Sequence, residues 1–394
     1  MLLQHHPQLL TLSIAQALYW SCSIIGIALT GLVGRQLAPW PVLATVPLTL
    51  LVAGNLLSIG PLARWMQQHG RARGLQCGAL LGVAAGLLAA WAVVHASFGL
   101  FCLAMLLLGG YQASAGFYRF TALDGMPAEH SGRAAAWVLA GGIAAALLAP
   151  SLAIHAASAL TIPLAGAYLA IAVLALLACA LLQCLPARLH LPMQARSAAT
   201  PVVSRRQLWQ RPALRQAIML SACGHGLMVL VMNATPLAMH GAGHSLASST
   251  QVIQWHVLGM FAPSLFAGRA VDRFGARRLA WLGAALLAAS AAVALSGPQF
   301  LPFLISSLLL GAGWNLMILA GTSLLNQASA PEERAQAQPM MEWTNNGSAA
   351  LMSLSCGVLI QTLGWQAVNV AMLLTLALLA WQGGRAAWAA RAQA

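Results

Sequence analysis

Residues 228–260 read MVLVMNATPLAMHGAGHSLASSTQVIQWHVLGM, opening on Met228 and Met232 and closing on His256 and Met260, each pair four apart. On a helix, residues i and i+4 share one face, and His225 joins Met228 and Met232 at i, i+3 and i+7. Thioether sulfur is a soft ligand and imidazole an intermediate one, so the set suits copper, above all Cu(I), better than a hard cation. Neither side chain brings charge into an apolar setting. The same residues have an ordinary use. Methionine fills irregular gaps, and fifteen occur in the chain; a buried histidine commonly bonds a carbonyl or hydroxyl. On the residues alone, ligand and packing both stand.

The elements that must position them come from composition. Of 394 residues, 60% are hydrophobic and 6% charged, more apolar surface than a water-soluble domain can hide, so lipid is the expected solvent. Apolar runs fall at 8–33, 40–63, 75–94, 97–117, 134–155 and 159–185, then at 213–238, 246–267, 279–296, 299–322, 343–363 and 366–390. Each is near the 20 or so residues a spanning helix needs. This predicts an all-α membrane protein of twelve transmembrane helices: an N-terminal six-helix bundle (1–185), a cytoplasmic linker (186–212) rich in arginine, proline and serine, and a C-terminal six-helix bundle (213–394). Two halves with a site between them are a common secondary-transporter plan.

The formal charge of +13 comes from 19 arginines without a lysine, against six acids. One arginine, Arg35, falls in the odd-numbered loops; the other eighteen lie in the even-numbered loops and the C-terminal tail. That asymmetry predicts both termini and the even loops in the cytoplasm of a bacterial inner membrane, and it argues against nucleic acid as a partner. The acids (Asp124, Glu129, Asp272, Glu332, Glu333, Glu342) are expected in or at the edge of the cytoplasmic loops, leaving no carboxylate mid-membrane. Seven scattered cysteines without CxxC spacing are expected to be free, and the N-terminus lacks the marks of a removed signal peptide.

The loop AGRAVDRFGARRL (267–279) matches the major facilitator superfamily signature G-x-x-x-D-R-x-G-x-R-R at Gly268, Asp272, Arg273, Gly275, Arg277 and Arg278. Glycine permits a tight turn there, and Asp272 can pair with arginine or cap a neighbouring helix, latching one conformation. The equivalent first-half loop, GPLARWMQQHGRARG (60–74), has Arg64 where the acid should be, which puts its latch in question. GFYRFTALD (116–124) sets Arg119 and Asp124 near the cytoplasmic end of helix 4, suited to a gate or to anchoring. LAGGIAAALLAPSLA (139–153) loosely resembles the glycine-proline motif of drug/proton antiporters, with close packing an equal reading. Asn315, in GAGWNLMILAGT (311–322), and His225 and Asn233 in helix 7 are further candidates to line a cavity or relay protons.

The block 226–275, with YRFTALD and GAGWNLMILAGTSLL, resembles the CcoA-like branch of the major facilitator superfamily, whose members import copper for assembly of cbb3-type cytochrome c oxidase. The resemblance implies copper as cargo, with the family's MxxxM falling on Met228 and Met232 and its HxxxM on His256 and Met260. It implies a monomeric carrier in the lipid bilayer, without a cofactor, working by alternating access. Related branches of similar sequence carry other cargo, so a carrier of a small organic molecule (drug efflux, riboflavin or a metallophore) is the alternative. Thirteen tryptophans support it. A receptor or metal sensor is a third reading. No enzyme is expected, since neither HExxH, nor a nucleophile elbow, nor a mid-membrane acid pair occurs.

Overall fold

The computed structural model describes residues 7–40, 43–44, 46–124, 126–127, 130–160, 162, 164–192 and 203–392. The first half holds α1 (Gln8–Leu37), α2 (Val46–His69), α3 (Arg71–Val94), α4 (Phe98–Ala115), α5 (Ser131–Ala157) and α6 (Ala165–Leu182). After Gly116 and Phe117, α4 continues as one more turn, Tyr118–Ala122. The second half holds α7 (Pro212–Gly241), α8 (Leu246–Phe261, resuming as Ser264–Phe274), α9 (Ala276–Ala294), α10 (Phe300–Ala328), α11 (Arg334–Thr362) and α12 (Gly364–Ala392). Between the halves, residues 193–202 of the expected linker lie outside the described residues, and a short helix, Arg205–Gln210, starts at a Ser204–Gln207 capping box.

Ten of these helices are long and apolar enough to cross a membrane; α8 and α11 complete the twelve. The two differ from expectation for physical reasons. Pro263 cannot donate to the carbonyl four residues back, and α8 is interrupted at Ala262 and Pro263. The eleventh helix begins at Arg334 rather than 343, because its polar first turns face protein instead of lipid.

Pairings in one half recur in the other six helices later. α1 packs on α5 and α7 on α11; α2 packs on α4 and α8 on α10; α3 packs on α4 and α9 on α10. Glycine makes the closest approaches. A Cβ on Gly283 of α9 would stand 2.9 Å from the Gly313 carbonyl of α10. The turns after α2 and α8 need glycine for another reason: Gly70 has φ +97° and Gly275 φ +86°, left-handed conformations that a side chain disfavours.

The halves meet along α2 with α11 and α5 with both segments of α8, with α10 also touching α5. Among the described residues, no contact of similar extent joins α7 to the first half.

Candidate substrate site between the two halves

The halves are locked at the end that carries the arginine-rich loops. Arg119, from the last turn of α4, pairs with Glu342 of α11, with Glu342 buried and Arg119 slightly exposed. Gly116, one turn before Arg119, leaves room for the carboxylate. Glu342, expected at the edge of a loop, is thus buried against the other half at that end of the bundle. Glu342 sits eight residues into α11, about 12 Å along its axis at 1.5 Å per residue. Beside it, Asn55 of α2 donates to Asn346 Oδ1 at 3.2 Å, and Trp343 Nε1 donates to the Leu56 carbonyl at 3.1 Å.

Closer to the loops, Arg71 Nε meets Asp124 Oδ2 at 3.1 Å while its Nη2 donates to Gln338 of α11 at 2.5 Å. Gln67 Nε2 donates to the Ala335 carbonyl at 2.8 Å. The first-half loop therefore has a charge latch although Arg64 replaces its acid: Asp124 supplies the carboxylate from the loop after α4. In the matching second-half loop, Asp272 Oδ2 meets Arg133 Nε of α5 at 2.8 Å. Gly268 lies against Arg133 and Gly132, so its missing side chain brings α8 onto α5. Arg273 lies over the Phe274 ring, and Arg277 donates to Gln216 of α7. Arg278 is exposed.

Deeper in the bundle, aromatic rings cross from one half to the other. Tyr19 of α1 stands 5.4 Å from Tyr111 of α4 and 5.5 Å from Trp20, centroid to centroid. Trp20 meets Phe261 of α8 edge-on at 5.0 Å, and Phe261 meets Trp314 of α10 at 6.2 Å. Trp314 Nε1 donates to His225 Nδ1 of α7 at 2.9 Å. An indole N–H only donates, so this Nδ1 carries the lone pair. Tilted and edge-on pairs at these separations are the favoured aromatic geometries. Trp20 and Trp314 lie near the middle of 30- and 29-residue helices, the level at which two-half carriers hold their cargo.

The four predicted ligands lie on α7 and α8, each of which packs on α10. His256 is 1% exposed, and its Nδ1 donates to the Ser307 carbonyl of α10 at 2.9 Å. Met260 is buried, with its carbonyl accepting from Asn315 Nδ2 at 2.7 Å, and Asn315 also donates to Ser264 at 2.6 Å. The backbone of α8 at His256 and Met260 thus packs on α10, whose Gly311 admits it. Met228 is buried on a stretch of α7 where Ser221 and Gly224 also abut α10, at Gly321 and Met317; Met232 is half-buried. Asn233, exposed, donates to Ser353 of α11. Among the described residues, no group of three or more His, Cys, Asp or Glu is placed to hold a metal.

Sequence reasoning missed Tyr19, Trp20, Tyr111, Phe261 and Glu342. The available signals were an adjacent Tyr-Trp pair in the middle of an apolar run and an acid followed by Trp343 and two asparagines in 342–346.

Comparison with known proteins agrees with this architecture. Residues 246–391 match the family model of the Major Facilitator Superfamily. The chain is 38% identical over 363 residues to the riboflavin transporter RfnT of Brucella anthropi, covering 91% of this chain and 90% of that one. Its fold is similar to the human organic anion transporter MFSD10 (TM-score 0.76, 14% identity, 94% of this chain and 98% of that one). It is also similar to the transporter FucP in its outward conformation (TM-score 0.73, 13% identity, 95% and 98%). A copper-importing relative, which the sequence motifs led one to expect, is not what these likenesses bring forward. The chain is a multi-pass secondary transporter, not an enzyme, and it belongs to the Major Facilitator Superfamily.

Proposed function

We propose that the chain takes up riboflavin or a closely related flavin across the cytoplasmic membrane by alternating access. The observation that carries this reading is the aromatic path from Tyr111 through Tyr19, Trp20 and Phe261 to Trp314, contributed by both halves at mid-membrane depth. An isoalloxazine is a flat heteroaromatic ring system that stacks on indole and phenyl faces, and it is neutral, so it needs no counter-charge in the bilayer. The 38% identity to a riboflavin transporter supports the same cargo.

The arginine bias sets the arginine-rich side in the cytoplasm. The Arg119–Glu342, Arg71–Gln338 and Arg133–Asp272 contacts then close the cytoplasmic exit, and the site faces outward. Cargo that bridges the aromatic rings of both halves draws them together on the outer side. The latches break as the halves rock, and the site opens inward.

One observation favours a second reading, import of a soft metal ion. With Nδ1 of His256 donating to Ser307, Nε2 is left buried with no partner among the described residues, the posture of a metal-ligating imidazole. Uptake of radiolabelled riboflavin and of ⁶⁴Cu, measured side by side in cells, separates the two. The flavin reading predicts riboflavin accumulation that falls about 30-fold in Trp314→Ala, matching about 2 kcal/mol for a lost aromatic anchor. Copper accumulation abolished by His256→Ala, with no riboflavin uptake, would replace it.

A further inference from the structure

Gln16 and Trp20 lie four residues apart on one face of α1, between the side that meets α5, where Ser13 donates to the Trp137 carbonyl, and the side that meets α4 through Tyr19 and Tyr111. Trp20 reaches across the interface to Phe261 of the other half. Gln16 is 6% exposed. Its Oε1 and the indole Nε1 of Trp20 are both buried, and neither has a hydrogen-bond partner among the described residues. An orphaned buried acceptor is costly, and two orphans of opposite kind one helical turn apart, at the edge of the aromatic path, call for a ligand that completes them.

We propose that Gln16 Oε1 and Trp20 Nε1–H form the polar pole of this site and select a flat heteroaromatic cargo bearing a cyclic imide. The inference rests on the flavin reading above and deepens it. A cyclic imide presents an N–H between two carbonyls. Gln16 Oε1, an acceptor, takes the imide N–H. Trp20 Nε1–H, a donor only, takes a flanking carbonyl. Residues i and i+4 rise about 6 Å along the helix axis, so the pyrimidine end of an isoalloxazine reaches Gln16 while the rest of the ring lies among Trp20, Phe261 and Trp314. Aromatic packing alone accepts many flat molecules. A site built to bond a specific N–H rejects the analogue that lacks it, because the site's own group is then left bare.

The test is competition against radiolabelled riboflavin uptake by N3-methylriboflavin, which keeps the ring and loses only the imide N–H, with protein levels in the membrane measured alongside. Wild type is expected to admit the methylated flavin roughly tenfold less well or worse. Gln16→Leu removes the orphaned acceptor while keeping similar bulk, so a merely structural role would leave uptake unharmed. Here it should weaken riboflavin uptake and bring the two flavins level. Trp20→Phe should weaken both while keeping their ratio. Equal competition in wild type, or a Gln16→Leu carrier that still tells the two apart, overturns the inference and leaves the flavin reading intact. Absence of riboflavin uptake by wild type overturns both.

Discussion

Replacing Glu342 by alanine removes one partner of a buried ion pair that joins the halves only when the arginine-rich side is closed. The side-chain exposures are 11% for Arg119 and 7% for Glu342, so the pair is almost fully desolvated. Breaking such a pair costs about 3–5 kcal/mol, because the remaining charge stays buried and uncompensated. Arg119 keeps a little exposure, so about 3 kcal/mol is the appropriate figure. The cost falls on the closed state, since opening that side hydrates Arg119. At about 1.4 kcal/mol per decade, the closed-to-open ratio should drop roughly 100-fold. Closure can be read by cross-linking Gln68→Cys on α2 to Glu332→Cys ahead of α11, two exposed positions flanking the Gln67–Ala335 contact, after replacing the chain's free cysteines. Cross-linking should be fast in wild type and much slower in Glu342→Ala. Adding Arg119→Met, which removes the stranded charge, should restore most of it. A single variant that cross-links as fast as wild type, or a double variant that is no better than the single, would refute the argument.

Three further outcomes follow from the same geometry. A Cβ on Gly142 would stand 2.5 Å from the Phe261 ring, so Gly142→Ala should disturb α5 against α8 by about 1–3 kcal/mol of overpacking and slow riboflavin uptake several-fold. Trp314→Phe keeps a ring but loses the hydrogen bond to His225; uptake affinity should fall by about 1 kcal/mol, roughly fivefold, and His225→Ala should give a similar loss that is not additive with it. Arg211 donates to both carboxylate oxygens of Glu333 at 2.7 Å, tying the end of the linker to the start of α11. That contact holds the Glu333 carboxyl below its usual range. A depressed carboxylate contributes stability above its unfolded pKa and loses it as pH falls through the folded one. The melting-temperature advantage of wild type over Glu333→Gln should accordingly be present at neutral pH and vanish in acid.

The outline of the fold was legible because lipid-facing helices advertise themselves by length and apolarity, and the turns at Gly70 and Gly275 by a glycine beside charge. The eleventh helix was misread for the opposite reason. Gln338, Glu342 and Asn346 face the other half instead of lipid, so hydropathy took its first turns for a loop and Glu342 for a loop residue. The aromatic site was hidden in a different way. Tyr19, Trp20, Tyr111, Phe261 and Trp314 each sit in an apolar run and read singly as packing; only the crossing of α1, α4, α8 and α10 brings them together. The MxxxM and HxxxM spacings define helix faces, but spacing says nothing of what a side chain meets, as with His256, whose Nδ1 is taken by the Ser307 carbonyl of α10.

The most direct measurement of the central claim is the flavin fluorescence of riboflavin titrated with the purified carrier. Stacking on Trp314 with edge-on contact to Trp20 predicts saturable quenching that weakens strongly in Trp20→Ala and Trp314→Ala and is unchanged by copper chelation. Fluorescence that stays flat across the titration, or quenching that both alanine variants retain in full, would contradict it.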